Sequence, residues 1–429
     1  MTWPTPSSKE IVQKIATLIH DAVFIKQHRS ASKDFTRKRT LTFAHLVLFL
    51  LNMIKSSIED ELESFFETLS GVAPDCLTVT KSAFTQARSK LKYTAFIALN
   101  QQLLELAQAE PAYDQRWRGF RILAVDGSVM NLPDQPMLRQ HFDPDAAHAP
   151  QARASQLYDV LNQLTLEARI DPMKVDERTQ ANAHLRQTQT NDLVLYDRGY
   201  PAFFLFACHR AKGTDFCARS PWNLYNETRD FWLSGEREKV VRLTATKEAL
   251  QQCRQAGIKH QALTVRLIRV DLPSEEPEVL ITSVLESERI PAEAFGELYH
   301  LRWGVEEDYK KIKQRMELEQ FSGYSVLAIQ QDFHAKILSK NLTSLLVSAA
   351  QEQVDEQTEK RQRKRNYKVN FTRALSRMKH HIVRLFLWPE PGKQLERLIR
   401  LIASSYEAVR PGRSFERRKQ RSGKFKRAR

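Results

Sequence analysis

Tyr299-His300-Leu301-Arg302-Trp303-Gly304-Val305-Glu306-Glu307-Asp308-Tyr309-Lys310-Lys311-Ile312-Lys313 is the stretch on which the rest of the chain turns. Counted from Tyr299, Arg302, Glu306 and Lys313 stand at offsets 3, 7 and 14. At roughly 100° per residue the four fall within about 60° of one another on one helical face, and Lys310 joins that face. The spacing predicts a single helix over Ile290–Met316, with Pro291 near its start. One carboxylate then sits among cations and a phenol, the layout needed by a metal-binding acid beside a phosphate-gripping surface. A solvated face with weak ion pairs, each worth about 0.3–0.5 kcal/mol, is the plainer alternative for this stretch alone.

Two acidic motifs upstream weigh against that alternative. Phe120–Val125 is a short apolar run that reads as a buried strand, and Asp126-Gly127-Ser128 reads as a tight turn at its end. Leu193–Tyr196 reads as another buried strand, ending at Asp197 and followed by Arg198-Gly199-Tyr200-Pro201. Pro201 suits the first turn of a helix over Pro201–Ala211. Asp126 and Asp197 are 71 residues apart, and Asp197 and Glu306 are 109 apart. Acids at the ends of core strands sit where a sheet meets solvent, which is where sites are built. Three such acids suit two divalent ions. Phosphodiester cleavage needs an activated nucleophile and a stabilised leaving oxygen, and two metals about 3.5–4 Å apart supply both. Carboxylate oxygens are hard donors that suit Mg²⁺, with Mn²⁺ as a substitute. Arg302, Lys310 and Lys313 are then placed to grip the scissile strand and flanking phosphates.

Between these motifs the pattern is mixed. Leu157–Ile170 alternates as one strand, Glu177–Thr188 is helical, and Asp215–Arg219 is strand-like. This order indicates an α/β layer domain. Residues 222–285 interrupt it with strands at Val240–Thr244, Ala262–Val270 and Val279–Val284 and a short helix, Lys247–Gln255. They read as a β-rich inserted subdomain.

Upstream, residues 8–108 are helical by periodicity, as at Ile11, Ile15, Leu18 and Ile19, and at Leu46, Phe49, Leu50 and Met53. Helices over Glu59–Leu69 and Thr80–Leu91, separated by a break from Gly71 to Pro74, suit a helix-turn-helix DNA reader. Its second helix carries Lys81, Gln86, Arg88, Lys90 and Lys92. A plain helical bundle with a basic face is equally compatible. The C-terminal third is helical and then basic: five cations lie in Lys360–Arg365, and 10 face one acid, Glu416, between Arg410 and Arg429. That tail reads as a loose nucleic-acid binder or a solubilising segment.

Charge agrees with a polyanionic partner. Lys plus Arg number 66 against 51 Asp plus Glu, giving +15, an excess that favours phosphate neutralisation and counterion release. The four cysteines, Cys76, Cys208, Cys217 and Cys253, have no C-x-x-C spacing, which argues against a zinc site or a disulfide framework. The first residues lack a signal-peptide core, and the apolar run Val47–Met53 is too short to span a bilayer. A soluble cytoplasmic protein, not at a membrane, is the expectation.

On these residues the chain resembles the DDE transposases of bacterial insertion sequences, in the group named for its Tyr-Arg-Glu-Lys signature. The match is Tyr-x2-Arg-x3-Glu-x6-Lys at 299, 302, 306 and 313, Val-Asp-Gly-Ser at 125–128 and Asp-Arg-Gly-Tyr at 197–200, in family order. It extends from roughly residue 10 to 350. The resemblance implies a ribonuclease-H-like catalytic core with a β-rich insertion, a helical N-terminal DNA-binding domain and a helical, basic C-terminal region. The implied division is 1–112, 113–221, 222–288, 289–350 and 351–429. Asp126, Asp197 and Glu306 would bind two Mg²⁺ ions. Tyr299, Arg302 and Lys313 would hold the transposon end, with Lys310, Arg198, Tyr200, Arg88 and Lys90 as further DNA contacts. The partners implied are double-stranded DNA, both terminal inverted repeats and target, and a second copy of the chain pairing two ends. A non-catalytic repressor or relic, and a metal-dependent nuclease without strand transfer, are the alternatives. Hairpin-forming relatives stack an aromatic on a flipped base; Pro277-Glu278-Val279-Leu280-Ile281 has none, leaving Phe231, Trp232 or Trp303 for that role.

Overall fold

The computed structural model describes residues 6–52, 54–70, 79–259, 261–271, 276–387 and 391–409. The Gly71–Pro74 break, Met53, Cys76 and the basic tail 410–429 lie outside the described residues. The chain divides into two compact units, residues 113–310 and residues 1–112 with 311–429. No helix among the described residues is long and apolar enough to cross a membrane.

The first unit is built on an eight-stranded sheet. Its strands are β1 (Arg121–Asn131), β2 (Gln151–Asp159), β3 (Leu164–Pro172), β4 (Asp192–Tyr196), β5 (Asp215–Ser220), β6 (Glu238–Thr244), β7 (Ala262–Val270) and β8 (Glu278–Thr282). They lie in the order β3-β2-β1-β4-β5-β8-β7-β6. β1, β4 and β5 run parallel, and every other pairing is antiparallel. The fold is therefore mixed α/β. The inserted strands β6–β8 hydrogen-bond into this sheet through β8 and β5 rather than forming a sheet of their own.

Strand parity sets the two faces. Ile122, Ala124, Leu193, Leu195 and Cys217 belong to one buried cluster with Phe295, Leu298, Tyr299, Val305 and Tyr309. Each large apolar side chain so buried contributes about 1.5–3 kcal/mol. On the other pleat, Phe216 stacks on Phe206 of helix Phe203–Lys212 at 4.2 Å between ring centroids, and the Tyr196 hydroxyl meets His209 Nε2 at 2.8 Å.

Three expectations are corrected here. Asp126-Gly127-Ser128 is not a turn: β1 continues through it, paired with β2 from Asp126↔Gln156 to Asn131↔Gln151. An Asp-Gly hairpin turn needs a positive φ at glycine, and Gly127 is not among the positive-φ residues. Leu157–Ile170 is a hairpin rather than one strand. Asp159 accepts from the Asn162 backbone N–H at 3.1 Å, and Gln163 sits at φ 55; apolar Val160 and Leu161 hide this turn in the sequence. The expected helix Ile290–Met316 is interrupted, giving Phe295–His300 and Trp303–Arg315. Between them the backbone tightens to i→i+3 bonds, Arg302 N–H to Tyr299 C=O at 3.1 Å and Gly304 N–H to Leu301 C=O at 2.9 Å.

The second unit is helical. Its longest helix, Val326–Lys360, is buried on nearly all sides from Ala328 to Leu346, as a central core helix must be. It runs unbroken through the expected boundary at 350/351. Helices Phe43–Leu51, Thr94–Gln108, Phe371–Leu387 and Pro391–Ala403 pack on it.

Candidate active site

Register brings the first two acids together. The parallel ladder of β1 and β4 ends at Ala124↔Leu195. Two residues further along each chain stand Asp126 and Asp197, so period-2 alternation puts both on the pleat of Ala124 and Leu195. That pleat packs against Val305 and Tyr309 of the helix Trp303–Arg315, which carries Glu306 in its first turn.

The electrostatics agree. The Asp126 carboxyl is pushed up to about 7, first by burial and then by the negative charges of Glu306 and Asp197, against relief from the Gly127 backbone and Arg302. Glu306 accepts a hydrogen bond from Arg302 Nη2 at 2.8 Å. Arg302 is only 3% exposed, and its guanidinium lies over the rings of Tyr299 (5.6 Å) and Trp303 (5.1 Å). The Tyr299 hydroxyl points to Asp197 Oδ1 and to the Tyr196 carbonyl, both at 3.4 Å. Burial is the first cause pushing this phenol upward. The break at Leu301–Arg302 thus gives the signature residues a different geometry from a single helical face. Tyr299 reaches the second acid from one helix, while Arg302 holds the third acid on the next.

The donor set fits a hard divalent cation. Three carboxylates lie in the field of one buried guanidinium, and burial first, then the charges of Glu306 and Asp197, raises Asp126 toward neutrality. Among the described residues no three His, Cys, Asp or Glu side chains stand close enough as placed to hold an ion; Glu306 is turned onto Arg302 instead. Buried polar atoms without a partner remain beside the acids: Arg302 Nε and the hydroxyls of Tyr200 and Tyr309. Leaving such a group unpaired costs about 1–3 kcal/mol, a cost found where a ligand completes a site.

The other expected DNA contacts divide sharply. Arg198 and Lys310 are exposed and Lys90 is half-buried. Lys313 is half-buried, with its ammonium 3.5 Å from Glu319. Tyr200 is 3% exposed, and an ideal Cβ on Gly127 would lie 3.3 Å from its hydroxyl. It faces the sheet, so its role as a DNA contact is corrected. Arg88 is corrected too. It is 5% exposed and donates to Asp332 Oδ1, Gln331 Oε1 and Ser322 Oγ, each at 2.9 Å. The expected recognition helix is only Lys81–Arg88, with Phe84, Ala87 and Arg88 turned inward. Phe231, 1% exposed, is core and cannot stack on a base. Trp232 lies under the Arg269 guanidinium at 5.3 Å, while Trp303 is 38% exposed.

Sequence reasoning missed several neighbours. Asp308, buried on the signature helix, accepts from Gln156 Nε2 at 3.3 Å, and Gln156 is the β2 partner of Asp126. Tyr309 follows it. Glu177, at the start of helix Glu177–His184, accepts from Arg153 at 2.9 Å and lies with Tyr200 against Gly127. The run Glu306-Glu307-Asp308-Tyr309 contains the signal: Asp308 and Tyr309 fall on the sheet side of the helix. In the helical unit, Lys33, Arg37, Arg39 and Lys90 line one cavity, a basic cluster that only the fold assembles.

One acid within β1 and one just past the end of β4, facing a helical acid beside a buried arginine in a chain of net charge +15, fit a phosphoryl-transfer enzyme of nucleic acids. The transposase DDE domain family matches residues 117–342, more than half of the chain, and the chain belongs to that family. The transposase InsG for insertion sequence element IS4 of Escherichia coli (strain K12) is 26% identical over 320 residues, 71% of this chain and 70% of that protein. The putative transposase InsZ of the same strain is 25% identical over 126 residues, 28% of this chain and 42% of that protein. Among solved structures, a piggyBac transposase synaptic complex with hairpin DNA aligns with a TM-score of 0.42 and 10% identity, over 96% of this chain and 87% of that one. The protein is a DNA transposase of the bacterial insertion-sequence type, a polynucleotidyl transferase. Its family uses divalent metal ions and acts on DNA.

Proposed function

We propose that Asp126, Asp197 and Glu306 are the catalytic acids and hold two Mg²⁺ ions, with Mn²⁺ able to substitute. The single observation that carries this reading is the register: Asp126 and Asp197 leave adjacent parallel strands on the pleat that Glu306's helix covers. When bound, such ions lower the pKa of a water nucleophile and stabilise the leaving 3′-oxygen. Asp126 and Asp197 orient the attacking side from the sheet. Glu306 joins them from the helix once it releases Arg302. Arg302, then free of its partner, can take up negative charge developing on the phosphate, held in direction by Tyr299 and Trp303. Tyr299 steadies Asp197. Lys310, Lys313 and Arg198 grip flanking phosphates.

The order β3-β2-β1-β4-β5, with antiparallel β1–β3 and parallel β4 and β5, supports a ribonuclease-H-like core, residues 222–288 being its insertion. The Tyr-Arg-Glu-Lys spacing supports membership of that signature group. On this reading two copies, each with a helical DNA-binding region in residues 1–112, pair the terminal inverted repeats on the nucleoid. Water then cleaves each end, and the freed 3′-hydroxyl attacks target DNA. Trp303 is the aromatic placed to stack on a flipped base, worth about 1–3 kcal/mol.

Asp126→Asn, Asp197→Asn and Glu306→Gln should each abolish metal-dependent cleavage of a terminal-repeat duplex while leaving its gel-shift affinity within about twofold, less than 0.5 kcal/mol. Substantial cutting by any one removes that residue from the mechanism. Joining of the cut end to a plasmid separates a transposase from a nuclease that only cuts.

A further inference from the structure

In the helical unit, the loop between helices Ala22–His28 and Phe43–Leu51 borders one cleft with its cations. Lys33, Arg37 and Arg39 from this loop, and Lys90 from just beyond helix Lys81–Arg88, line a cavity of about 710 Å³. An antiparallel bridge, Arg29↔Leu91, joins the two segments, and the Ser30 N–H donates to the Lys90 carbonyl at 2.8 Å. The loop is pinned along its length. Asp34 Oδ2 accepts from the Ala31 N–H at 2.8 Å, Thr36 Oγ1 donates to the Lys33 carbonyl at 2.8 Å, and the Thr40 carbonyl meets His45 Nδ1 at 2.7 Å. Phe35, at φ 57, packs edge-on against Phe43 at 5.4 Å between ring centroids, which anchors the loop in an apolar floor. Asp34 is the one carboxylate among the described residues that line the cavity, and it is 9% exposed. None of the four cations pairs with an acid among the described residues. Lys33, Arg37 and Arg39 are exposed. The first turn of helix Phe43–Leu51 opens on the same cavity through Thr42, Phe43 and Ala44, and a helix start favours an anion.

We propose that this cleft seats the sugar–phosphate backbone of duplex DNA, with Lys33, Arg37, Arg39 and Lys90 neutralising its phosphates. The inference rests on the reading of residues 1–112 as the DNA-binding region. It moves that region's grip from the expected recognition helix, whose Arg88 is turned inward, to the loop beside it. A recess lined by one sign of charge focuses its field on the entering ligand. Four cations without a carboxylate partner repel one another, and phosphates in series relieve that repulsion. Arg37 and Arg39 offer planar forks that take phosphate oxygens in pairs, while Lys33 and Lys90 act as point charges. The loop is held in place before any ligand arrives, so little order has to be gained on binding. Contacts to phosphates fix position and carry no base sequence. The cleft therefore holds any duplex and leaves sequence reading to other residues.

The test uses the full-length protein with a terminal-repeat duplex and an unrelated duplex of equal length. A fourfold variant, Lys33→Gln, Arg37→Gln, Arg39→Gln and Lys90→Gln, should bind both duplexes at least about tenfold more weakly at low salt. Its plot of log affinity against log salt should flatten by about 0.9 for each phosphate released. A control carrying Lys14→Gln, Lys26→Gln, Lys81→Gln and Arg373→Gln removes the same charge from exposed positions outside the cleft and should lose much less. Equal losses in the two variants mean that net charge alone acts, and overturn the proposal. A loss confined to the terminal-repeat duplex means base reading and overturns it as well, as does a larger loss on duplex RNA. Hydrogen exchange of the unaltered protein gives a reading that no variant can spoil: either duplex should slow exchange in residues 29–42. Protection elsewhere in residues 1–112 but not there overturns the cleft and leaves the region as the DNA binder. No protection anywhere in residues 1–112 overturns the reading of the region itself.

Discussion

At the residue scale, Asp126 records in its ionisation what its neighbours are for. Burial, Glu306 and Asp197 hold it at about 7, where an unfolded aspartate titrates near 3.9. Below both values the carboxyl is neutral in either state and contributes nothing. As pH rises toward 7 the unfolded chain gives up this proton first, so the native state loses stability; above 7 the full cost is present. Asp126→Asn should therefore stabilise the metal-free protein at pH 8 by about 1–3 kcal/mol and change nothing near pH 4. Melting curves at the two pH values measure this. Divalent ion should raise the melting temperature of the native protein and not of the variant. An equal gain at both pH values would mean that packing, and not charge, sets the effect. Arg88 teaches the opposite lesson at the same scale. A basic residue on a helix reads as a DNA contact in the sequence, yet its guanidinium is consumed by Asp332, Gln331 and Ser322.

At the element scale, the helix Trp303–Arg315 is seated by close packing at its first turn. A Cβ on Gly304 would lie 2.9 Å from Val160 Cγ1 in the β2–β3 turn. Gly304→Ala should cost about 1–3 kcal/mol through this overlap and slow cleavage by moving Glu306. Adding Val160→Ala should restore both, by denaturant midpoint and by rate. A double variant no better than Gly304→Ala would show that the overlap is not the cause. Strand β4 and the helix Lys247–Gln255 are legible in the sequence: the structure has Asp192–Tyr196 and the same nine helical residues, because a short apolar run and a capped amphipathic run have strong local signals. Helix Asn226–Ser234 is not legible in that way. At its start the Tyr225 backbone N–H donates to Thr228 Oγ1 at 3.0 Å, where the usual small cap residue is missing, so the sequence shows no start signal.

At the scale of the whole molecule, the charge of +15 is spread unevenly. Removing residues 410–429 takes away 10 cations and one acid, lowering the formal charge from +15 to +6. Non-specific DNA affinity should then fall, and the plot of log affinity against log salt should flatten by about 0.9 for each phosphate that the tail had neutralised. Gel-shift titrations at several salt concentrations measure this, with cleavage at saturating DNA retained. An unchanged slope would assign the tail to solubility alone.

The sequence by itself determined the candidate acids in their order, a cationic signature around the last, and an excess of positive charge that suits a polyanionic partner. Those are covalent facts, readable because spacing along a strand or helix is local. It also supplied the end of β4 that delivers Asp197, but not the course of β1, which runs on past Asp126 to Asn131. What only the tertiary structure decided is which side chains meet. The parallel pairing of β1 with β4 sets two acids side by side, the tight turn at Leu301–Arg302 splits the signature between two helices, and long-range burial turns Arg88 and Tyr200 inward. Register and burial depend on partners far away in the chain, and a local reading has no access to them.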